Sequence, residues 1–175
     1  MAKLSPRIVP RPRQGLTPIA NFLSSCINDR SAIVNLGCNI LHLEDDDNDS
    51  LFFQRALDHL NFTGVYRRVS TPQKAIEYLS GTNDFADRRL YPLPHALVAD
   101  SALGNLTDAK TPDLMGWLDG REEFRPLVRM MLTGDMSARD REEWHKRGIA
   151  CVLLKGATSE DLAESVAEIL RRCER

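Results

Sequence analysis

Short apolar runs alternate with helical segments five times along most of this chain, and no other feature limits its fold as strongly. The apolar runs cover residues 40–43, 65–69, 95–99, 127–132 and 150–154. The segments between and after them carry apolar residues at helical spacing or strong helix-start residues. Because strands that alternate with helices form a parallel sheet covered on both faces, the sequence predicts an α/β fold.

Several helix ends can also be predicted from single residues. Asn48 or Asp49 is expected to cap the helix that follows the first strand. Thr71-Pro72 is expected to open the second helix and Gly81 to close it. These residues fix where the loops between strands and helices lie.

The first 37 residues differ in composition from the rest and are predicted to form a basic, proline-containing N-terminal extension. This segment holds 5 of the 23 basic residues and 1 of the 25 acidic ones, so its charge is +4 while residues 38–175 carry −6. Proline fixes φ and removes backbone donors, so we expect the extension to be partly disordered and residues 38–175 to form one domain. Five basic residues without interleaved aromatics do not predict nucleic-acid binding.

Composition excludes several classes of protein. With 42% hydrophobic and 27% charged residues, the chain is typical of globular domains. The cysteines are scattered and the histidines share no ligand-like spacing, so neither a zinc site nor a disulfide framework is predicted; His42, inside a predicted strand, is expected in the core. No apolar run is long enough to span a membrane, and no secretory signal is recognisable. We therefore expect a cytoplasmic protein without a membrane partner.

Four of the five predicted strands end at chemically functional residues. The first ends at Glu44-Asp45-Asp46, the third at Asp100, the fourth at Thr133 and the fifth at Lys155. Taken singly, such residues often only cap helices or form turns. In the flavodoxin-like strand order 2-1-3-4-5, however, the first and third strands are neighbours, so Glu44, Asp45 and Asp100 meet at the carboxyl edge of the sheet.

This group of residues has the chemistry of a metal and phosphoryl site. Close carboxylates raise one another's pKa unless a cation neutralises them, and Mg²⁺ suits a site with a few carboxylates, retained waters and phosphate oxygens. Lys155 would supply a positive charge for a phosphoryl oxygen, and Thr133 a hydroxyl donor. An aspartate so placed can act as a nucleophile and form an acyl phosphate.

The ordered motifs resemble the receiver domain of bacterial two-component response regulators over about residues 39–172. The motifs are Ile40-Leu41-His42-Leu43-Glu44-Asp45-Asp46, Leu97-Val98-Ala99-Asp100, Met131-Leu132-Thr133-Gly134 and Val152-Leu153-Leu154-Lys155. The 22-residue step from Thr133 to Lys155 also agrees with the family spacing. The loop between Tyr78 and Pro94 is similar to that of single-domain regulators that partner phytochrome-like or hybrid histidine kinases.

The resemblance implies a role for each residue of the site. Asp100 would be the phosphoacceptor, Thr133 would report phosphorylation and Lys155 would pair with the phosphate. The metal ligands for Mg²⁺ would be Glu44, Asp45, Asp100 and the backbone carbonyl of Ala102.

The function implied is a stand-alone response regulator of a phosphorelay. A sensor histidine kinase or a phosphotransfer protein would phosphorylate it, and it would act as a phosphoacceptor that assists its own phosphotransfer and dephosphorylation rather than as an enzyme. Only 20 residues follow Lys155, so output is expected through another protein or through a homodimer.

Three departures from the family pattern motivate an alternative. The loop from residue 101 to 111 is longer and lacks the usual proline and Asp-Gly, Gly156 replaces the proline after the lysine, and Val152 stands where many receivers carry Tyr or Phe. The alternative is a phosphorylation-independent pseudo-receiver that serves as an interaction module. A third class, an aspartate-nucleophile phosphatase, would use the D-x-D of Asp45-Asp46-Asp47 and leave Asp100 without a role.

Overall fold

The computed structural model describes residues 37–101, 103, 113–134 and 138–173, which build a five-stranded sheet flanked by helices. The strands are β1 (Asn39–Leu43), β2 (Val65–Val69), β3 (Ala96–Asp100), β4 (Val128–Thr133) and β5 (Cys151–Leu154). The helices are α1 (Asp47–His59), α2 (Pro72–Ser80), α3 (Leu114–Asp119), α4 (Ala138–Lys146) and α5 (Ser159–Cys173). All pairings are parallel in the order β2-β1-β3-β4-β5, which confirms the predicted fold and strand order.

The strands agree with the predicted apolar runs to within one residue at each end, and β3 and β4 include Asp100 and Thr133 as their last residues. Two predictions lie outside the described residues. One is the N-terminal extension, of which only residue 37 is described. The other is the backbone carbonyl of Ala102. Among the described residues, no helix combines the length and apolarity that a bilayer-spanning segment requires.

Both faces of the sheet are covered by helices. On one face Leu41, Leu97 and Met131 pack with residues of α2 and α3, and on the other Val98 and Met130 pack with residues of α1 and α5. The central strands β1 and β3 are consequently almost completely buried, as is usual for parallel sheets. The only polar positions along these strands are therefore those at their ends and the buried His42.

Helix α1 begins one residue after its cap, Asp46. The extended Asp46 accepts hydrogen bonds from the backbone N–H groups of Asn48 at 2.8 Å and Asp49 at 3.0 Å. The expectation that Asn48 or Asp49 would be the cap is therefore wrong, because the chain turns into the helix directly after the strand. The carboxylate of Asp49 is left available for another partner.

The end of α2 depends on a glycine and an arginine. Thr71 caps the start of α2 with Pro72 in the first turn, as predicted, and Gly81 ends it at a φ of 66°. The guanidinium of Arg88 donates to the carbonyl of Leu79 at 2.7 Å and covers Gly81 so closely that an added Cβ would lie 2.6 Å from Nη2. A side chain at this position would therefore be strained and would also displace Arg88.

We predict that Gly81→Ala lowers the free energy of unfolding by about 1–2 kcal/mol, because a non-glycine residue resists the left-handed conformation. Gly120→Ala is the matched control, since Gly120 ends α3 at a φ of −75° and an added Cβ there meets nothing closer than 3.9 Å. Urea unfolding of both variants measures the difference. Equal stability of the two variants would contradict the prediction.

His42 is fully buried in β1, as predicted for a core residue. Its ring stacks on Phe53 with centroids 4.3 Å apart, and Nδ1 hydrogen-bonds with the hydroxyl of Tyr66 at 2.9 Å. Within the described part of the chain, Nε2 has no hydrogen-bond partner. Burial, followed by the charges of Lys155 and Arg68, lowers the pKa of His42 to about 3. The ring is therefore neutral at physiological pH.

This shift predicts an acid-sensitive component of stability. Below its ordinary pKa of 6.5, the histidine of the unfolded chain takes up a proton, while that of the folded chain does not until about pH 3. Stability is thus lost as pH falls, and between pH 7 and pH 5 the wild type should lose about 2 kcal/mol more than His42→Phe. Urea unfolding at each pH gives this difference, and parallel pH profiles would rule it out.

Candidate functional site

The carboxyl ends of β1, β3, β4 and β5 meet at one edge of the sheet. Glu44 follows β1, Asp100 ends β3, Thr133 ends β4 and Lys155 follows β5. The backbone N–H of Lys155 donates to the carbonyl of Thr133 at 2.7 Å, which aligns the ends of the last two strands. Parallel pairing therefore gathers residues that are far apart in sequence, as the strand order predicted.

Three carboxylates form an acidic cluster at this edge. Glu44, Asp45 and Asp100 each offer one oxygen, and these oxygens all lie within 4.8 Å of one another. Glu44 is fully buried and Asp100 is 3% exposed, whereas Asp45 is exposed. The cluster thus reaches from the interior of the domain to solvent.

The ammonium of Lys155 neutralises part of this charge. Its Nζ lies 2.9 Å from Oε2 of Glu44 and 3.3 Å from Oδ2 of Asp100, and it also forms an ion pair with Asp49. One cation is therefore shared by three carboxylates, two of which are buried.

The pKa values of Glu44 and Lys155 reflect this arrangement. Burial raises the pKa of Glu44, and the hydrogen bonds from Lys155 and from the backbone N–H of Asp46 oppose that effect. Burial alone would lower the pKa of Lys155, but its hydrogen bonds to Asp49 and Glu44 more than offset this and raise its pKa above the usual value. This shift favours the charged ammonium form of Lys155.

Asp49 belongs to the site and was missed in the sequence analysis, which treated it only as a candidate cap. It lies in the first turn of α1, and its side chain is 40% exposed while paired with Lys155. The recognisable feature was the acidic run itself. Once Asp46 caps the helix, Asp49 becomes the third helical residue, within one turn of the strand end.

A pair of hydroxyl groups lies beside the acidic cluster. Thr133 is buried, and its Oγ1 accepts a hydrogen bond from Oγ of Ser101 at 2.6 Å. The backbone N–H of Ser101 donates to the carbonyl of Leu132 at 2.9 Å, which holds the residue after Asp100 against β4. Thr133 was predicted at this position, and Ser101 was not.

The segment after Lys155 is held in place without the expected proline. Gly156 has a φ of 72°, a conformation that suits glycine. The carboxylate of Asp161 accepts from the backbone N–H groups of Ala157 at 3.0 Å and Thr158 at 3.1 Å, and Thr158 Oγ1 accepts from the N–H of Asp161. This reciprocal cap orders the start of α5 directly beside Lys155.

A cavity of about 450 Å³ opens beside the cluster, between the starts of α1 and α5. Its charged lining residues are Glu44, Asp49 and Lys155, and its apolar ones include Phe52, Leu132 and Leu162. Carboxylate oxygens are the donors that hard divalent cations prefer, so the edge of the sheet can hold such a cation with Glu44, Asp45 and Asp100. It can also present Asp100 as a nucleophile next to an ammonium group.

Comparisons with known proteins show which solved structures share this fold. A scan against protein-family models found no match, and neither did a search of curated proteins. Among solved structures, a response regulator in red light signaling of R. palustris is 27% identical, with a TM-score of 0.68 over 75% of this chain and 90% of that chain.

Two further solved structures share the fold at lower identity. The Mn²⁺-bound form of response regulator Rcp1 is 18% identical, with a TM-score of 0.60 over 75% of this chain and 91% of that chain. The phosphorylated cyanobacterial phytochrome response regulator RcpA is 17% identical, with a TM-score of 0.61 over 76% and 91%. The described domain has the fold of response regulator receiver domains, which confirms the resemblance seen in its motifs.

Proposed function

We propose that the protein is a stand-alone cytoplasmic response regulator that is phosphorylated on Asp100 in a phosphorelay. The observation that carries this proposal is the meeting of the three carboxylates within 4.8 Å, with Nζ of Lys155 3.3 Å from Asp100. The similarity to response regulators supports a role in two-component signalling. The phosphoryl donor would be a histidine kinase or a phosphotransfer protein, and output would follow from a changed protein–protein interface.

The donor set fits Mg²⁺ or a similar divalent cation. Glu44, Asp45 and Asp100 are hard oxygen donors, and the exposure of Asp45 gives the ion and its waters access from solvent. When bound, such an ion would neutralise carboxylate and phosphoryl oxygens. The Mn²⁺-bound form of a structural neighbour supports the assignment of a divalent metal.

The proposed transfer makes one bond and breaks one bond. A carboxylate oxygen of Asp100 attacks phosphorus, the P–N bond of the phosphohistidine breaks, and the imidazole nitrogen keeps the electron pair and takes a proton. Lys155 then pairs with a phosphoryl oxygen, which it can do because it already lies beside Asp100. The phosphoryl group adds roughly two negative charges, so Thr133 is drawn to donate its hydroxyl hydrogen to it.

The phosphatase alternative receives no support from the acidic run. Asp46 caps α1, and the carboxylate of Asp47 pairs with Arg68 at 2.5 Å. The second aspartate of the D-x-D is therefore an exposed residue that pairs with Arg68 of β2. Asp100, in contrast, lies within the acidic cluster.

We predict that the wild type incorporates one phosphoryl group per chain from acetyl phosphate and Mg²⁺, and that Asp100→Asn incorporates none. An amide cannot form the acyl phosphate, and Asp58→Asn is a matched control at an exposed position on α1. Intact-mass spectrometry with acid and base lability of the adduct measures the outcome. Labelling that survives in Asp100→Asn would exclude Asp100 as the acceptor. Identical binding of a partner protein by the wild type and by Asp100→Asn would favour the pseudo-receiver.

We also predict that Mg²⁺ raises the melting temperature of Lys155→Gln more than that of the wild type. Removing the ammonium takes away the cation that lies beside Glu44 and Asp100, so a divalent cation gains more by entering. Lys146→Gln is the control, because Lys146 is exposed on α4 and pairs only with the exposed Glu142 among the described residues. Equal Mg²⁺ shifts in all three proteins would contradict this prediction.

A further inference from the structure

Arg68 reaches from β2 to the loop that carries two of the three clustered carboxylates. It is paired in register with His42 of β1. Its Nε donates to the backbone carbonyl of Glu44 at 2.7 Å, Nη2 to the backbone carbonyl of Asp45 at 2.8 Å, and Nη1 to Oδ1 of Asp47 at 2.5 Å. One guanidinium thus binds three residues of the segment between β1 and the first turn of α1.

We propose that Arg68 is a positioning residue that sets the divalent-cation affinity of the acidic cluster by fixing the backbone at Glu44 and Asp45. This inference rests on the proposed function, because it assumes that the cluster binds a metal. Each of these carbonyl groups is bonded to the Cα atom that carries the carboxylate side chain of its residue. Where those carbonyls lie therefore determines where the two carboxylates can meet Asp100.

The guanidinium group is suited to this task. It is planar and presents five N–H donors in a rigid fork, so it can hold two carbonyl groups at a fixed separation. The side chain of Arg68 is 24% exposed, whereas that of Asp47 is 92% exposed. Ion pairs in such exposed positions contribute little, so the contacts with the two carbonyls carry the positioning effect.

Charge and position act in opposite directions at this site. The positive charge of Arg68 by itself repels a cation, whereas ordering of the loop favours its binding. Arg68→Lys separates the two effects, because it keeps the charge and loses the fork that joins Glu44 to Asp45. Contacts that orient metal ligands from outside typically change affinity by about 10–100-fold.

The neighbouring Arg67 offers a matched control. It lies in the same strand, and its guanidinium donates to the carbonyl of Leu90 at 3.0 Å and lies over the ring of Tyr91. Arg67 is partly buried like Arg68 but makes none of the described contacts with the segment from Glu44 to Asp47. Arg67→Lys therefore reproduces the cost of the substitution in β2 without affecting the loop.

The test is the Mg²⁺ and Mn²⁺ affinity of the full chain, measured by isothermal titration calorimetry. We expect Arg68→Lys to weaken binding by about tenfold. Arg67→Lys, and Asp47→Asn, which keeps both carbonyl contacts, should stay near wild type. A second measurement without metal is amide hydrogen exchange of residues 44–47, which should be faster in Arg68→Lys alone.

The outcomes distinguish this inference from the proposed function. If the wild type binds the metal, and Arg68→Lys and Arg67→Lys bind it with equal affinity, the role of Arg68 is overturned. This holds whether both affinities are unchanged or both are weakened, and it leaves the proposed function intact. A wild type that binds neither ion would overturn the metal site and this inference with it. Faster exchange with unchanged affinity would show that Arg68 orders the loop without setting metal binding, which also overturns the proposal.

Discussion

The structure depends above all on the sharing of one ammonium group by three carboxylates. Glu44 and Asp100 are buried side by side, and two buried carboxylates cannot both be ionised without a nearby cation. Lys155 supplies that cation from the end of β5, which β3 and β4 separate from β1 in the sheet. Breaking such a pair by removing one partner costs more than the pair itself contributes, so the end of β5 is tied to the end of β1. The sheet edge is held together by the same charges on which the proposed function depends.

The apolar scaffold makes this concentration of charge tolerable. The central strands are covered on both faces, and their packing fixes the register that brings the strand ends together. His42 lies in β1, two residues before Glu44. It stays neutral, so it adds no further charge to the interior. Arg129, a second polar residue within a buried strand, instead reaches Asp119 at the end of α3. Polar groups inside the sheet are thus either neutralised or directed to its rim.

Residues whose positions follow from strand order were predictable, and those that depend on loop geometry were not. Glu44, Asp100, Thr133 and Lys155 were placed correctly because parallel pairing carries every strand end to the same edge. The position of Asp49 depends on which residue of an acidic run caps α1, and four neighbouring acidic or amide residues are nearly equivalent caps. The sequence can assign Arg68 to a face of β2. It cannot identify the acceptors of Arg68, because these are backbone carbonyl groups, which every residue has.

The hydrogen bond between Ser101 and Thr133 has a consequence for how such a site would respond. Because Thr133 accepts from Ser101, the hydrogen of its own hydroxyl is not used in this bond. A hydroxyl that accepts one hydrogen bond becomes a better donor in the next, since such chains polarise one another. A phosphoryl group attached to Asp100 would therefore meet a Thr133 hydroxyl whose strength as a donor the bond from Ser101 has already increased. Under the proposed function, the first step of a response would then extend a hydrogen-bonded pair that is already present.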